Sequence, residues 1–240
     1  MLSELLRERS AGVDFDTERD PDREEESAEG GGQAPRSVSG GRATAEFTYT
    51  DPVQSFVASV RNLVTRPADF YAGIVRQGDF INPLIFALIC AAVAAVIGAI
   101  LRIFGAMVGL GDTGVGGAIG GLFVAVFFTL IFVAIGLFVW AGILHLLVML
   151  IIKPAGTGYE ATFRAVSYAN VGQLVGWIPF LGPLVAGIAW IVLAIIGVRE
   201  VHGATTGKAA LVVLIPAAVV FLIALTLILL VGAALFLTAR

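Results

Sequence analysis

The chain has 240 residues, of which 58% are hydrophobic and 14% charged, and 18 acidic and 15 basic side chains leave a net charge of −3. The apolar excess is concentrated after residue 80, which excludes an ordinary soluble domain and predicts one integral membrane domain. Cys90 is the single cysteine, so no intrachain disulfide, zinc cluster or Cys-His nucleophile pair can be built. No cofactor and no nucleic-acid partner is expected.

Residues 1–50 form an acidic segment with 12 acidic and 6 basic side chains. It combines the run Glu24–Glu26 with glycine clusters and contains too little apolar surface to repay its ordering entropy. We therefore predict a disordered cytoplasmic tail, with an acidic docking segment for a basic partner as the alternative. The first 45 residues contain no apolar stretch of the signal-peptide kind, so no cleavable signal peptide is predicted.

Residues 51–80 show helical spacing and predict amphipathic interfacial helices. Pro67 opens the second of them. The arginines Arg61, Arg66 and Arg76 fit helices that lie at the surface of an anionic leaflet. The equally supported alternative is a pair of cytoplasmic helices packed on the membrane domain. The apolar positions of the first helix are Val53, Phe56, Val57, Val60, Leu63 and Val64.

Residues 81–240 are predicted to be an all-α polytopic membrane helix bundle with five transmembrane helices. The first apolar run, Pro83–Leu101, has no charge and makes about 28 Å of helix, enough to cross a bilayer core. Basic residues bracket the connections at 153–164 and 199–208, whereas the stretches 107–121 and 178–183 contain none. If basic connections are cytoplasmic, the chain crosses five times, with its N-terminus inside and its C-terminus outside the cell membrane.

The requirement that basic connections lie in the cytoplasm also determines how the second and third spans are divided. The 38 residues of Val115–Ile152 would make about 57 Å of helix, so we predict a loop or frayed entry at Gly114–Gly121 and one tilted helix from about Leu122 to Ile152. The segment Arg164–Arg199 is predicted to be a hairpin of two short helices broken at Ile178–Pro183. The first of these, the third span, is the most polar of the five.

A set of short motifs runs along the chain in a fixed order: Arg66–Phe70, Asn82–Leu84, Ala161–Ala169, Ile178–Gly182, Trp190, Ile196–Arg199, Val201–Gly203 and Gly207–Ala209. This ordered set resembles a prokaryotic member of the Yip domain family, named for eukaryotic proteins that interact with Ypt/Rab GTPases. The resemblance covers about residues 55–235 and implies five spans, a cytoplasmic N-terminus and a structural, partner-binding or trafficking role. The eukaryotic members carry an Asp-Leu-x-Gly-Pro motif that Asp69–Gly73 does not reproduce, so small GTPase binding is not supported.

Two motifs suggest enzymes, and each lacks a necessary part. Gly203–Ala209 is one residue too short for a phosphate-binding loop and has alanine where a magnesium-binding hydroxyl is needed. Asp112 stands in a Gly-x-Gly-Asp string typical of intramembrane aspartyl proteases, but no second carboxylate lies in a predicted span. We therefore predict that the chain is not an enzyme.

The remaining candidate site is an intramembrane polar cluster on the second and third spans. Such groups face lipid only at high cost, so they either hold helices together by hydrogen bonds or line a path for a proton or solute. The first interpretation predicts a non-enzymatic membrane scaffold whose partners are the lipid bilayer, other membrane proteins or a second copy. The alternative is a small-solute or ion permease with a path around His145 and Asn170. The cluster comprises His145, Arg164, Ser167, Tyr168, Asn170 and Gln173.

Overall fold

The computed structural model describes residues 46–109, 114–153 and 157–238, and within these ranges the chain is helical with no strand. The predicted disordered tail falls almost entirely on residues 1–45, outside the described part. Seven helices follow in chain order, with a π-helical turn at Val148–Ile152 and a 3-10 helix at Asn170–Val175. The helices are α1 Pro52–Thr65, α2 Pro67–Gly73, α3 Ile81–Met107, α4 Gly114–Leu147, α5 Tyr159–Ala169, α6 Leu181–His202 and α7 Thr206–Thr238.

Four of these helices are long and apolar enough to cross a membrane: α3, α4 with its π-helical turn, α6 and α7. The shortest, α6, has 22 residues, about 33 Å at 1.5 Å per residue, which exceeds the hydrocarbon thickness of a typical bilayer. Their outward surfaces remain apolar, as in Phe123, Phe132, Phe221 and Leu229, which are more than half exposed. Lipid is the environment in which such surfaces are stable.

The predicted count of five spans differs by one from these four helices. The predicted third span corresponds to α5 with its 3-10 continuation, which have 11 and 6 residues. All residues from 161 to 172 are buried, and the pair of elements contacts α3, α4 and α6. Because its neighbours cover it on every side, this segment keeps polar residues that a lipid-facing helix of this length does not tolerate.

Helix α4 begins at Gly114, not near Leu122, so the glycine-rich stretch predicted as a loop is helical. Glycine weakens a helix in water. In a membrane, however, an unpaired backbone N–H or C=O costs several kcal/mol, and the helix is the conformation that pairs them within one segment. The π-helical turn ends at Lys153, which has a left-handed φ of 54°.

The predicted hairpin is present, and glycines allow its two arms to approach closely. A Cβ atom added to Gly172 would lie 2.9 Å from the carbonyl oxygen of Ala186 on α6. The chain then turns within the predicted break, where Phe180 has a φ of 64°, and α6 begins at Leu181.

Helices α1 and α2 pack on the bundle through part of their surface. Helix α1 buries Ser59 and Leu63, and α2 buries Phe70 and Tyr71 and contacts α6. Residues 46–50, which the prediction assigned to the tail, also lie on the bundle, since Phe47 is only 2% exposed. The described chain is therefore held from Glu46 onward.

The two ends of the bundle differ in character. At one end, here called the polar end, the beginnings of α3 and α5 meet the end of α6: the Phe80 ring lies 5.9 Å from that of Tyr159, and Thr157 contacts His202. At the opposite end, a groove of about 820 Å³ separates the last turns of α3 from the first half of α4. Gln173 and the turn before α6 line this groove, which we call the outer groove.

Candidate functional site

The polar side chains of the interior are arranged around α5, which directs two sets of them toward different neighbours. One set, the ion cluster, consists of Arg164, Glu46 and Asp79. The other, the histidine pair, consists of His145 and His202 bridged by Thr162. Both sets lie at the polar end. A short buried helix can carry polar groups on two sides because neither side faces lipid.

In the ion cluster, Arg164 joins three separate parts of the chain. Its Nη1 donates to Glu46 Oε1 at 3.1 Å, and its Nη2 donates to Asp79 Oδ1 at 3.3 Å and to the Asp79 carbonyl oxygen at 3.0 Å. The side chains of Arg164 and Glu46 are 5% and 14% exposed, whereas that of Asp79 is 42% exposed. Two charges with so little water around them are stable only as a paired, hydrogen-bonded group.

Burial and pairing act in opposite directions on the Glu46 carboxyl. Burial raises its pKa, and the adjacent Arg164 guanidinium lowers it by less, so that the net shift is upward. The loop before α3 is tied to α5 by a further bond, since the backbone N–H of Gly78 donates to Glu160 Oε2 at 2.8 Å. The ion cluster therefore joins α5 to the segments on either side of α1 and α2.

The sequence offers no acidic partner for Arg164 within the predicted spans, and the structure supplies two from outside them. Its acidic partners are outside the predicted spans, 118 and 85 positions earlier in the chain. Helix periodicity relates only residues three or four positions apart, so it carries no signal for such a contact. The nearest clue was the presence of an arginine in a predicted span, since an intramembrane cation requires a partner.

The histidine pair forms a chain of three hydrogen bonds. Thr157 Oγ1 lies 2.7 Å from His202 Nδ1, and Thr162 Oγ1 lies 2.9 Å from both His202 Nε2 and His145 Nδ1. The two ring centroids are 6.3 Å apart. One set of neutral tautomers satisfies all three bonds: Thr157 donates to His202, His202 donates to Thr162, and Thr162 donates to His145.

The other four predicted residues occupy different environments. Tyr168 is buried, with its ring 5.0 Å from those of Phe70 and Phe86. Ser167 Oγ is buried and has no hydrogen-bond partner among the described residues. Asn170 donates to the Val166 carbonyl oxygen of its own helical segment at 2.9 Å.

Gln173 is exposed and lies at the outer groove. The structure thus places His145 with Thr162 and His202, and not with Asn170. Sequence analysis missed Thr162 and His202, which lie on opposite arms of the hairpin. In the described ranges, no group of three or more His, Cys, Asp or Glu side chains is placed to hold a metal ion.

We expect His145→Ala to lower the free energy of unfolding in detergent by about 1 kcal/mol, the scale of a membrane hydrogen bond. His145→Asn should recover part of this loss, because the amide can still bond to Thr162. Denaturation followed by circular dichroism measures both. Thr226→Ala is the matched control, since that hydroxyl bonds only to the Leu222 carbonyl oxygen of its own helix. An equal loss in the two alanine variants would contradict the assigned contact.

Four membrane-length helices in the described ranges, three of which contact the short buried helix α5, define the chain as a polytopic helical membrane protein. Comparison with protein families matches residues 61–228 to the Yip1 domain. The match covers well over half of the sequence, so the chain belongs to the Yip1 domain family, and the resemblance seen in the sequence is confirmed. Neither the curated proteins nor the solved structures gave a match.

Proposed function

We propose that this protein is a non-enzymatic membrane scaffold that binds other membrane proteins or a second copy of itself, with a Yip-type role in membrane organisation or trafficking. The observation that carries the proposal is the ion cluster. The two terminal nitrogens of Arg164 donate hydrogen bonds to Glu46 and Asp79 of the same chain. These bonds hold the segments before α1 and after α2, and so hold both helices on the bundle. A fixed surface outside the hydrocarbon core is what a partner-binding membrane protein needs, because binding to a preorganised surface costs less entropy.

The packing of the interior also supports a scaffold. Phe163, Val166 and Ala169 are completely or almost completely buried along α5, between the polar end and the outer groove. Native packing of this kind leaves little space for water. The hydrogen bonds of His145 and Asn170 likewise end on groups within the chain, as expected of residues that hold helices together.

The alternative function, a permease for a proton or small ion, is favoured by one observation. His145 and His202 are two imidazoles, the side chain that most often shuttles protons, and Thr162 connects them by hydrogen bonds. The scaffold proposal therefore has to be tested against proton flux as well as against partner binding.

We propose that the polar end faces the cytoplasm and that the protein resides in the cell membrane. Arg76, Lys153, Arg199 and Lys208 stand in or beside connections at this end, whereas Arg102 is the one basic side chain lining the outer groove. An excess of basic residues marks cytoplasmic connections. The described part of α7 then runs from the cytoplasmic side toward the outside.

One experiment tests the scaffold against the permease. Tagged full-length chain is cross-linked in membranes and purified in mild detergent, in parallel with Arg164→Lys and with Lys208→Gln, an exposed control. We expect stoichiometric partners with the wild type and with Lys208→Gln, and their loss with Arg164→Lys, because lysine cannot reproduce the two-pronged contact.

The same wild-type protein in liposomes should show no proton flux above protein-free liposomes. A flux that disappears in both His145→Asn and His202→Asn, while both variants remain folded, would replace the scaffold by the permease. If the wild type, Arg164→Lys and Lys208→Gln recovered partners equally, partner binding would not depend on the surface of α1 and α2. That result would contradict the role given to the ion cluster.

A further inference from the structure

Helix α1 has three distinct faces, and the bundle occupies only one of them. Ser59 and Leu63 are 0% and 1% exposed, and the Phe56 ring lies 5.3 Å from that of Phe86 on α3. These three residues lie within one arc of about 60° at 100° per residue. This bundle face fixes the rotation of α1 about its own axis, and with it the direction of every other side chain on the helix.

The second face is apolar and uncovered. Val53, Val57 and Val64 are 72%, 60% and 69% exposed, and at 100° per residue they fall within about 40° of one another. This valine face is centred about 100° from the bundle face. Three exposed valines along one side of a helix form a continuous apolar stripe, the kind of surface that marks a contact with protein or membrane.

The third face is polar and continues beyond the valine face. Gln54, Arg61 and Thr65 are all exposed, and they begin about 40° past Val57. Proceeding around the helix, one therefore meets bundle, apolar surface and polar surface in that order. A helix that lies beside a membrane bundle at the water boundary has this arrangement, with lipid below it and water above it.

The position of α1 along α3 agrees with that boundary. The backbone N–H of Tyr49, two residues before α1, donates to Asn82 Oδ1 at 3.1 Å, and Phe56 contacts Phe86. Both partners are in the first turns of α3, where its membrane-length apolar run begins. Helix α1 therefore lies beside the start of the apolar run of α3.

We infer that α1 lies in the headgroup layer of the leaflet that α3 enters, with the valine face in the acyl boundary and Arg61 and Arg66 on the phosphates of anionic phospholipids. Both arginines are exposed, form no ion pair among the described residues, and have no acidic residue between them or within α1. Their charge is thus available to lipid. The inference concerns a lipid ligand and holds whether the protein is a scaffold or a permease.

Two pairs of adjacent positions test the orientation. In a Cys90→Ala background, single cysteines at Val53, Gln54, Val64 and Thr65 are labelled with an environment-sensitive fluorophore, and the full chain is placed in nanodiscs of phosphatidylcholine and phosphatidylglycerol. Each pair differs by one residue, hence by about 100° around the helix. Lipids brominated along the acyl chain should remove at least about half of the fluorescence at the two valine positions and little at Gln54 and Thr65.

Aqueous iodide should give the reverse pattern, with quenching at Gln54 and Thr65. Iodide quenching at the valine positions in these discs, to which no partner protein is added, would mean that the valine face is free for a protein partner and would overturn the inference. The charge component has its own test. Replacing phosphatidylglycerol by phosphatidylcholine, or introducing Arg61→Gln with Arg66→Gln, should reduce acyl-chain quenching at Val64, whereas Lys208→Gln should not. Equal quenching at Val64 in all of these samples would mean that Arg61 and Arg66 do not bind anionic lipid, and would overturn that part of the inference.

Discussion

Replacing Arg164 by alanine should lower the free energy of unfolding by about 3–5 kcal/mol, the usual cost of removing one partner from a buried ion pair. The substitution leaves the Glu46 carboxylate, whose side chain is only 14% exposed, without its counter-charge. It also removes the bonds to Asp79 that hold the loop before α3. Chemical or thermal unfolding in detergent, followed by circular dichroism, measures the change.

The loss in free energy of unfolding caused by Arg164→Ala should also depend on pH. Burial already raises the Glu46 pKa, and losing the guanidinium raises it further. A carboxyl whose folded pKa lies above its unfolded pKa contributes stability that is fully present below the unfolded value and is lost as pH rises through the folded value. The variant should therefore be closer to the wild type at pH 5 than at pH 8.

Arg199→Ala is the matched control, because that guanidinium is one-third exposed and pairs with its neighbour Glu200. Its loss should stay below about 1 kcal/mol. If Arg164→Ala and Arg199→Ala lowered the free energy of unfolding equally at every pH, the ion cluster would not be the fixed element that the scaffold proposal requires.

The second large effect is expected for Gly182→Ala, at the beginning of α6. A Cβ atom there would lie 2.6 Å from the Val175 carbonyl oxygen and 2.8 Å from that of Gly176. Both contacts are with backbone atoms, so no side-chain rotation relieves them and the two arms of the hairpin must separate. Overpacking of this kind costs typically about 1–3 kcal/mol, and unfolding in detergent measures it.

Gly187→Ala, in the same helix, provides the control. Nothing lies within 4 Å of a Cβ atom at that position, so an alanine side chain meets no steric conflict there. We expect this variant to be as stable as the wild type or slightly more stable. If Gly182→Ala were equally well tolerated, the close approach of the hairpin arms would not be a requirement of the fold.

The long helices could be predicted because lipid imposes a simple rule on them: an uncharged run of about 20 residues forms one helix. The same rule explains the one clear boundary error. Gly114–Gly121 is predicted to be a loop or frayed entry because Val115–Ile152 makes more helix than one perpendicular crossing needs, whereas α4 begins at Gly114. Backbone groups in lipid have no other partner, so the helix continues through the glycines. Here the surrounding solvent decides the conformation, and propensity is secondary.

The contacts of α5 could not be predicted from the sequence, for a different reason. The partners of Arg164 and Thr162 come from segments 118, 85 and 40 positions away, and packing of the whole bundle determines which of them meet. The sequence marks His145 on the second predicted span and Arg164 and Asn170 on the third as interior polar residues. It carries no signal for His202, at the last turn of α6, as a member of the site.

The burial of α5 also has a consequence for how the protein enters the membrane during synthesis. An insertion machinery that tests each segment separately would accept α3, α4, α6 and α7. It would reject α5, because a single arginine at the centre of a segment costs about 2.5–3.5 kcal/mol on insertion scales. Helix α5 must then partition together with the apolar α6 as one hairpin, against α3 and α4 already in place. Ribosomes paused before residue 190, with α6 only partly synthesised, should therefore hold a nascent chain whose α3 and α4 are inserted and whose α5 is still outside the bilayer.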